Sequence, residues 1–288
     1  MNLKNYPRKH YAINQFCQPH NHELKGRKFY FSMDGGTDYE LEVTGEKTVR
    51  WNKVGEEPKE AVYECVKGDD TTYLLDFDVA DTVMKENATN LVFIIDLEQR
   101  LVTIVTCWIG WNRKFPYLVK SEYDFGAIVV EGLETPFRRH CLTTQMVGTR
   151  VEWHWNYLMW THHNYYSTNY YTLTWPDESI AVEELGGPFE LLPCHDEIAQ
   201  YVKIKENLFA FCLTEEMMER MSEGRIMFRS NNMIFLQNYD KMMHAGRTFG
   251  HATTPDGKTF ACRTLFGSFG NPVHIPDSIV DGDNKYTV

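Results

Sequence analysis

The sequence predicts an all-β chain folded as two tandem antiparallel β-barrels that hold a small ligand, and three observations carry that prediction. Short runs of alternating apolar and polar residues recur with turn residues between them, and no long helical pattern interrupts them. The second half repeats the motif order of the first. The stretch Val151 to Trp175, VEWHWNYLMWTHHNYYSTNYYTLTW, packs four Trp, five Tyr and three His into about one tenth of the chain. Aromatic rings with polar tips at alternating positions suit strands lining a cavity, with the ring bodies buried and the tips turned inward.

Composition narrows the partners. The chain has 288 residues, 43% of them hydrophobic and 14% aromatic, enough for two cores. A formal charge of −11 and a pI of about 5.5 argue against nucleic acid and anionic membrane surfaces as partners. Seven scattered cysteines without a CxxC pair fit a reducing compartment, and no apolar run of membrane-spanning length occurs, so a cytoplasmic protein is expected. Asn87-Ala88-Thr89 matches a glycosylation acceptor, but without an export signal it carries no weight.

In chain order, residues 1–25 are polar and aperiodic and read as an arm lying across a neighbouring surface. Residues 26–140 form the first barrel. Arg27 to Val43 reads as a hairpin around Asp34-Gly35-Gly36, followed by strands at Thr48–Trp51, Glu60–Val66, Thr71–Asp78, Asn90–Asp96 and Arg100–Trp108. Gly110 to Arg139 is a connection carrying one further strand. Residues 141–276 form the second barrel, and 277–288 a loosely held tail. One segment reads as helical, Thr214 to Glu223, with Met217, Met218 and Met221 at helical spacing. Phe266-Gly-Ser-Phe-Gly-Asn reads as a turn.

Within the repeat, GTRVEW from Gly148 matches GRKFYF from Gly26, TLTW ending at Trp175 matches TVRW ending at Trp51, and NLFAFCLTE from Asn207 matches TYLLDFDV. NMIFLQNYD from Asn232 matches NLVFIIDLE from Asn90, and the offsets rise steadily from about 122 to about 142 residues, as loop insertions in a duplicated unit would make them. This order, closing with Gly246-Arg247-Thr248-Phe249-Gly250, resembles the molybdenum cofactor biosynthesis protein F (MoaF) family. The resemblance covers about residues 26 to 270. It implies lipocalin-like (calycin) barrels, similar in shape to bacterial phenolic acid decarboxylases. Those enzymes have a Tyr-Glu pair after a hairpin and a strand ending in Trp-Thr-Glu-Pro with a catalytic Glu. Here Tyr39-Glu40 matches the first element and Leu213-Thr214-Glu215-Glu216 keeps the Glu at Glu215. The first half has Val79 in its place, which puts the chemistry in the second half.

The candidate residues follow. Glu215 and His154 are the expected acid or base, with Tyr39 as a catalytic hydroxyl, since a carboxyl or imidazole in a partly dry barrel is poised for proton transfer. His163, Tyr166 and Tyr170 are expected to contact substrate, with Trp153 and Trp155 as ring surfaces and Arg247 as a fork for a carboxylate. Period 2 places His154 and Glu152 on one face, Trp153 and Trp155 on the other, and only one of His162 and His163 inside. The His spacing does not single out a metal set, so neither metal nor cofactor is assigned. Nucleotide, hydrolase and zinc-protease signatures are missing.

The expected function is cofactor-independent acid/base chemistry, a decarboxylation, isomerisation or cyclisation, on a small aromatic or carboxylated molecule. The alternative is a non-catalytic carrier or sensor with the same pocket. A third role for the duplication is an interface for a homodimer.

Overall fold

The computed structural model describes residues 15–79, 88–111, 113–114, 118–156, 160–174, 194–216, 228–253 and 259–280. Eight strands close the first barrel in simple up-and-down order: β1 (Lys28–Met33), β2 (Tyr39–Val43), β3 (Thr48–Lys53), β4 (Lys59–Lys67), β5 (Thr72–Asp78), β6 (Thr89–Asp96), β7 (Leu101–Trp108) and β8 (Lys120–Ile128), with β8 pairing back to β1. Closure leaves no free sheet edge in this unit.

The second unit contains β9 (Cys141–Leu142), β10 (Arg150–His154), β11 (Trp160–Asn164), β12 (Tyr170–Thr174), β13 (Cys194–Lys205), β14 (Leu208–Glu215), β15 (Phe228–Asn238), β16 (Met243–Thr253) and β17 (Thr259–His274). β10 pairs with β17 and β12 with β13, so eight of these strands close a second antiparallel barrel. β13 is long enough to pair with β12 and β14 and to take β9 at its far end.

Alternation decides what each barrel encloses. In the first, Phe31, Trp51, Tyr63, Phe77 and Phe93 point inward and fill the space with apolar rings. On β5, β6 and β14 the alternation disappears, because TYLLDFD, TNLVFIID and LFAFCLTE are buried on nearly every residue. Their outer faces meet in a third apolar core between the barrels, where Leu74, Val92 and Ile94 pack with Leu208, Ile234 and Leu236. Strands buried on both faces read as continuous apolar runs.

Polar side chains lock this contact. Lys205 reaches Asp69 at 2.9 Å and Glu98 at 2.9 Å across the barrels. Asn238 Nδ2 donates to the carbonyl of Gly68 at 2.9 Å. The arm also bridges the two units: Phe16 N–H donates to the Trp155 carbonyl of the second barrel and Asn21 N–H to the Cys65 carbonyl of the first. Leu24 is fully buried in the first barrel's core.

Four local expectations change. Phe266 to Asn271 is not a turn but part of β17, because Gly270 lets the Trp153 ring lie against the strand: a Cβ there would sit 2.6 Å from Trp153 Cζ3. Thr214 and Glu215 are not helical but end β14, and residues 217–223 of that expectation lie outside the described residues. β13 has no counterpart among the expected strands. The expected tail begins with a one-turn helix, α1 (Asp277–Val280), which buries Ile279 in the second barrel's core.

Gly246 is the tightest position in the sheet. A Cβ there would collide with the Ile234 carbonyl and lie 2.7 Å from Phe235 Cα on the paired strand. Backbone cannot swing aside as a side chain can, so Gly246→Ala is expected to lower stability by about 3 kcal/mol or more, read as a fall in the urea midpoint. A midpoint equal to that of the parent protein would mean that β15 and β16 are spaced differently.

Candidate functional site

The interiors of the two barrels differ in kind. The first is lined by rings and aliphatic side chains, whereas the second adds His163, His195, Glu197, Glu215, Gln237 and His244, all buried. Buried ionisable groups are expensive unless they serve a structural partner or a ligand.

At one end of the second barrel the register aligns acidic groups. Tyr171 on β12 pairs with Glu197 on β13, and Glu197 faces Glu215 one step beyond the Ile198–Thr214 pair. The three share the inner face with Ala199, Phe211 and Leu213. Directly opposed residues have Cβ atoms about 5 Å apart, so the two carboxyl groups converge on one small volume. Glu197 Oε2 accepts the backbone N–H of Glu216 at 2.9 Å. Its other oxygen lies 3.3 Å from His195 Nε2, in a contact that lacks hydrogen-bond alignment. Burial pushes the Tyr171 hydroxyl well above its ordinary value, and the charges of Glu215 and Glu197 push it further. That hydroxyl has no hydrogen-bond partner and stays protonated, ready to donate.

A ring cluster lies beside this acidic row. Tyr165 Oη receives hydrogen bonds from Trp153 Nε1 at 3.0 Å and Gln237 Nε2 at 3.2 Å, and lies 3.2 Å from His163 Nδ1. With two donors already pointing at the oxygen, its own proton goes to Nδ1. His163 is then the tautomer protonated on Nε2, which lies 3.1 Å from Thr161 Oγ1. Burial holds His163 neutral, down to about 3, with the charge of His162 adding to the effect. Its ring stands 4.9 Å from Tyr171 and 6.2 Å from His244.

The expected site residues fall into five places. Trp153, Trp155, His163 and Glu215 line the second barrel's interior. His154 is on the outer face of β10, where its Nε2 lies 2.6 Å from Glu152 Oε1, while His162 lies 2.8 Å from the other oxygen. Tyr166 and Tyr170 are exposed, and the inner positions belong to their neighbours Tyr165 and Tyr171. Tyr39 lies inside the first barrel, in a different core from Glu215.

Arg247 lies between the barrels. Its Nε donates to Asn90 Oδ1 at 3.0 Å, Nη1 to Asn232 Oδ1 at 2.8 Å, and Nη2 reaches Cys107 Sγ at 3.1 Å. Outward parity on β16 carries it away from the interior that holds His244. Among the described residues, no group of three or more His, Cys, Asp or Glu is arranged to hold a metal ion.

Glu197, His195 and His244 were not expected. The period-2 signal on β13 is faint because His195, Glu197 and Lys203 are polar on the inner face while Asp196 and Gln200 are polar on the outer one. His244, three residues from Arg247 and so of opposite parity on β16, was hidden by the expectation that Arg247 points inward.

Fold and interior together define a double β-barrel protein with one apolar interior and one that is acidic and aromatic. Residues 11–110, which contain β1 to β7, match the family model of the MoaF N-terminal domain. No curated protein matches the chain.

Proposed function

We propose that the second barrel binds a small aromatic molecule and moves protons on it without a cofactor, using Glu215 and Glu197 as the acid and base. The observation that carries this reading is the row Tyr171–Glu197–Glu215, three convergent proton-bearing groups in an otherwise aromatic interior. One carboxylate removes a proton from the substrate while the facing carboxyl returns one. The Tyr171 hydroxyl donates a hydrogen bond to the oxygen on which charge develops. Decarboxylation, isomerisation and cyclisation are all reachable by such a pair. Trp155, Phe211 and Phe235 supply ring faces.

The first barrel serves as a scaffold in this reading, since its interior is filled by Phe31, Phe77 and Phe93, the Phe93 ring lying 5.6 Å from each of the other two. A cytoplasmic setting is supported by six free cysteines among the described residues. Among those residues no helix is long and apolar enough to cross a membrane.

The test begins with native mass spectrometry of freshly purified protein, followed by identification of any molecule released on denaturation. With that molecule as substrate, Glu215→Gln and Glu197→Gln are each expected to lower kcat by about 10²- to 10⁴-fold while the protein stays folded. Unchanged turnover in both variants overturns the assignment. A ligand recovered intact, bound equally by parent and variants and never converted, would make the barrel a carrier.

A further inference from the structure

On the wall formed by β15, β16 and β17, Gln237 pairs with His244 and His244 with Ser268, so three polar side chains make a second row. All three are buried, at 0%, 1% and 1% exposure. Gln237 Oε1, both ring nitrogens of His244 and Ser268 Oγ have no hydrogen-bond partner. Each such atom costs about 1–3 kcal/mol, and four of them side by side are not the ordinary content of a core.

The row is also held rigid. Gln237 Nε2 donates to Tyr165 Oη at 3.2 Å and to Tyr239 Oη at 2.8 Å, which fixes the amide and aims Oε1 elsewhere. The His244 ring stacks on Trp153 at 3.6 Å and lies nearly parallel to Phe235 at 4.8 Å. Those rings cover its faces, and its nitrogen-bearing edge remains for bonding.

We propose that Gln237, His244 and Ser268 form a second polar subsite inside the barrel, which takes the uncharged hydroxyl or amide head of a small planar ligand. The chemistry of the row selects a neutral head. Gln237 offers an acceptor, Ser268 a donor and acceptor, and His244, held neutral by burial and by the nearness of His163, one of each. The one cation on the same line of paired residues is Lys203, beyond Phe209, and its ammonium is committed to Gln145 Oε1 at 2.7 Å. A carboxylate would find no counter-charge here. This deepens the reading above, on which it rests, by naming the part of the substrate that is held rather than transformed.

Titration calorimetry with phenol, benzamide, benzoate and benzylammonium as probes tests it. Phenol and benzamide are expected to saturate the parent protein, and the two charged probes are not. His244→Phe keeps a ring in the stack and removes both nitrogens, and is expected to weaken the neutral probes at least 10-fold. Ser268→Ala, the milder variant, is expected to weaken them about 3- to 10-fold if the hydroxyl makes a single hydrogen bond. Equal binding by both variants, preferential binding of benzoate, or no saturation by any probe overturns the subsite. Glu215→Gln separates the two ideas: it is expected to bind phenol and benzamide as the parent does and to lose turnover. Normal turnover with the subsite results intact would remove the proton-transfer reading alone.

Discussion

Acidification from pH 6.5 towards 3 is expected to remove about 5 kcal/mol of folding stability through His163 alone. Below 6.5 the unfolded imidazole takes up a proton, while the folded one, completely enclosed, resists until about 3. Throughout that window the unfolded state binds more protons, so stability falls as pH falls. At about 1.4 kcal/mol for each pH unit, the span from 6.5 to about 3 gives the figure. His244 acts in the same direction, its ring also held neutral by burial. Domains of ordinary stability have only about 5–15 kcal/mol to lose, so the protein is expected to unfold before pH 3 is reached. Urea midpoints measured from pH 7 to pH 4 check this. His163→Leu should flatten the slope, and a parent midpoint independent of pH over that range would mean that His163 is open to solvent.

Arg247→Ala is expected to cost about 3–5 kcal/mol, the largest loss from any single side chain between the barrels. The guanidinium is completely buried, and removing it takes the Arg247 donor from Asn90 Oδ1 and leaves Asn232 Oδ1 only the Cys107 thiol at 3.4 Å. It also leaves a cavity beside the apolar contact of Ile234 and Val92. Lysine should recover less than half of the loss, because one ammonium cannot reach Asn90, Asn232 and Cys107 in the three directions that the planar fork serves. Thermal and urea unfolding of the two variants gives the comparison. A loss under about 1 kcal/mol for Arg247→Ala would mean that the network contributes little net stability.

Much of this was legible in the chain. Period 2 put Trp153 and Trp155 on one face and His154 with Glu152 on the other, and split His162 from His163, but it did not say which face is inner, so His154 was expected inside and lies outside. The adjacent pairs Tyr165-Tyr166 and Tyr170-Tyr171 could not be resolved that way, since each pair contains one residue of either parity and only strand pairing fixes which faces in. Arg247 was read as an inward residue because one barrel was considered at a time. The correcting signal was present in LFAFC and LVFII, where unbroken apolar runs mean that both faces are covered. The acidic row needed β13, whose polar residues fall on both faces and so give no periodic signature.

The core between the barrels makes the two units dependent on each other. Leu74, Val92, Ile234 and Leu236 lie on the outside of their own barrels yet in the inside of the molecule. Either barrel alone would turn this apolar face to water, so a substitution at any of the four positions is felt in both units at once.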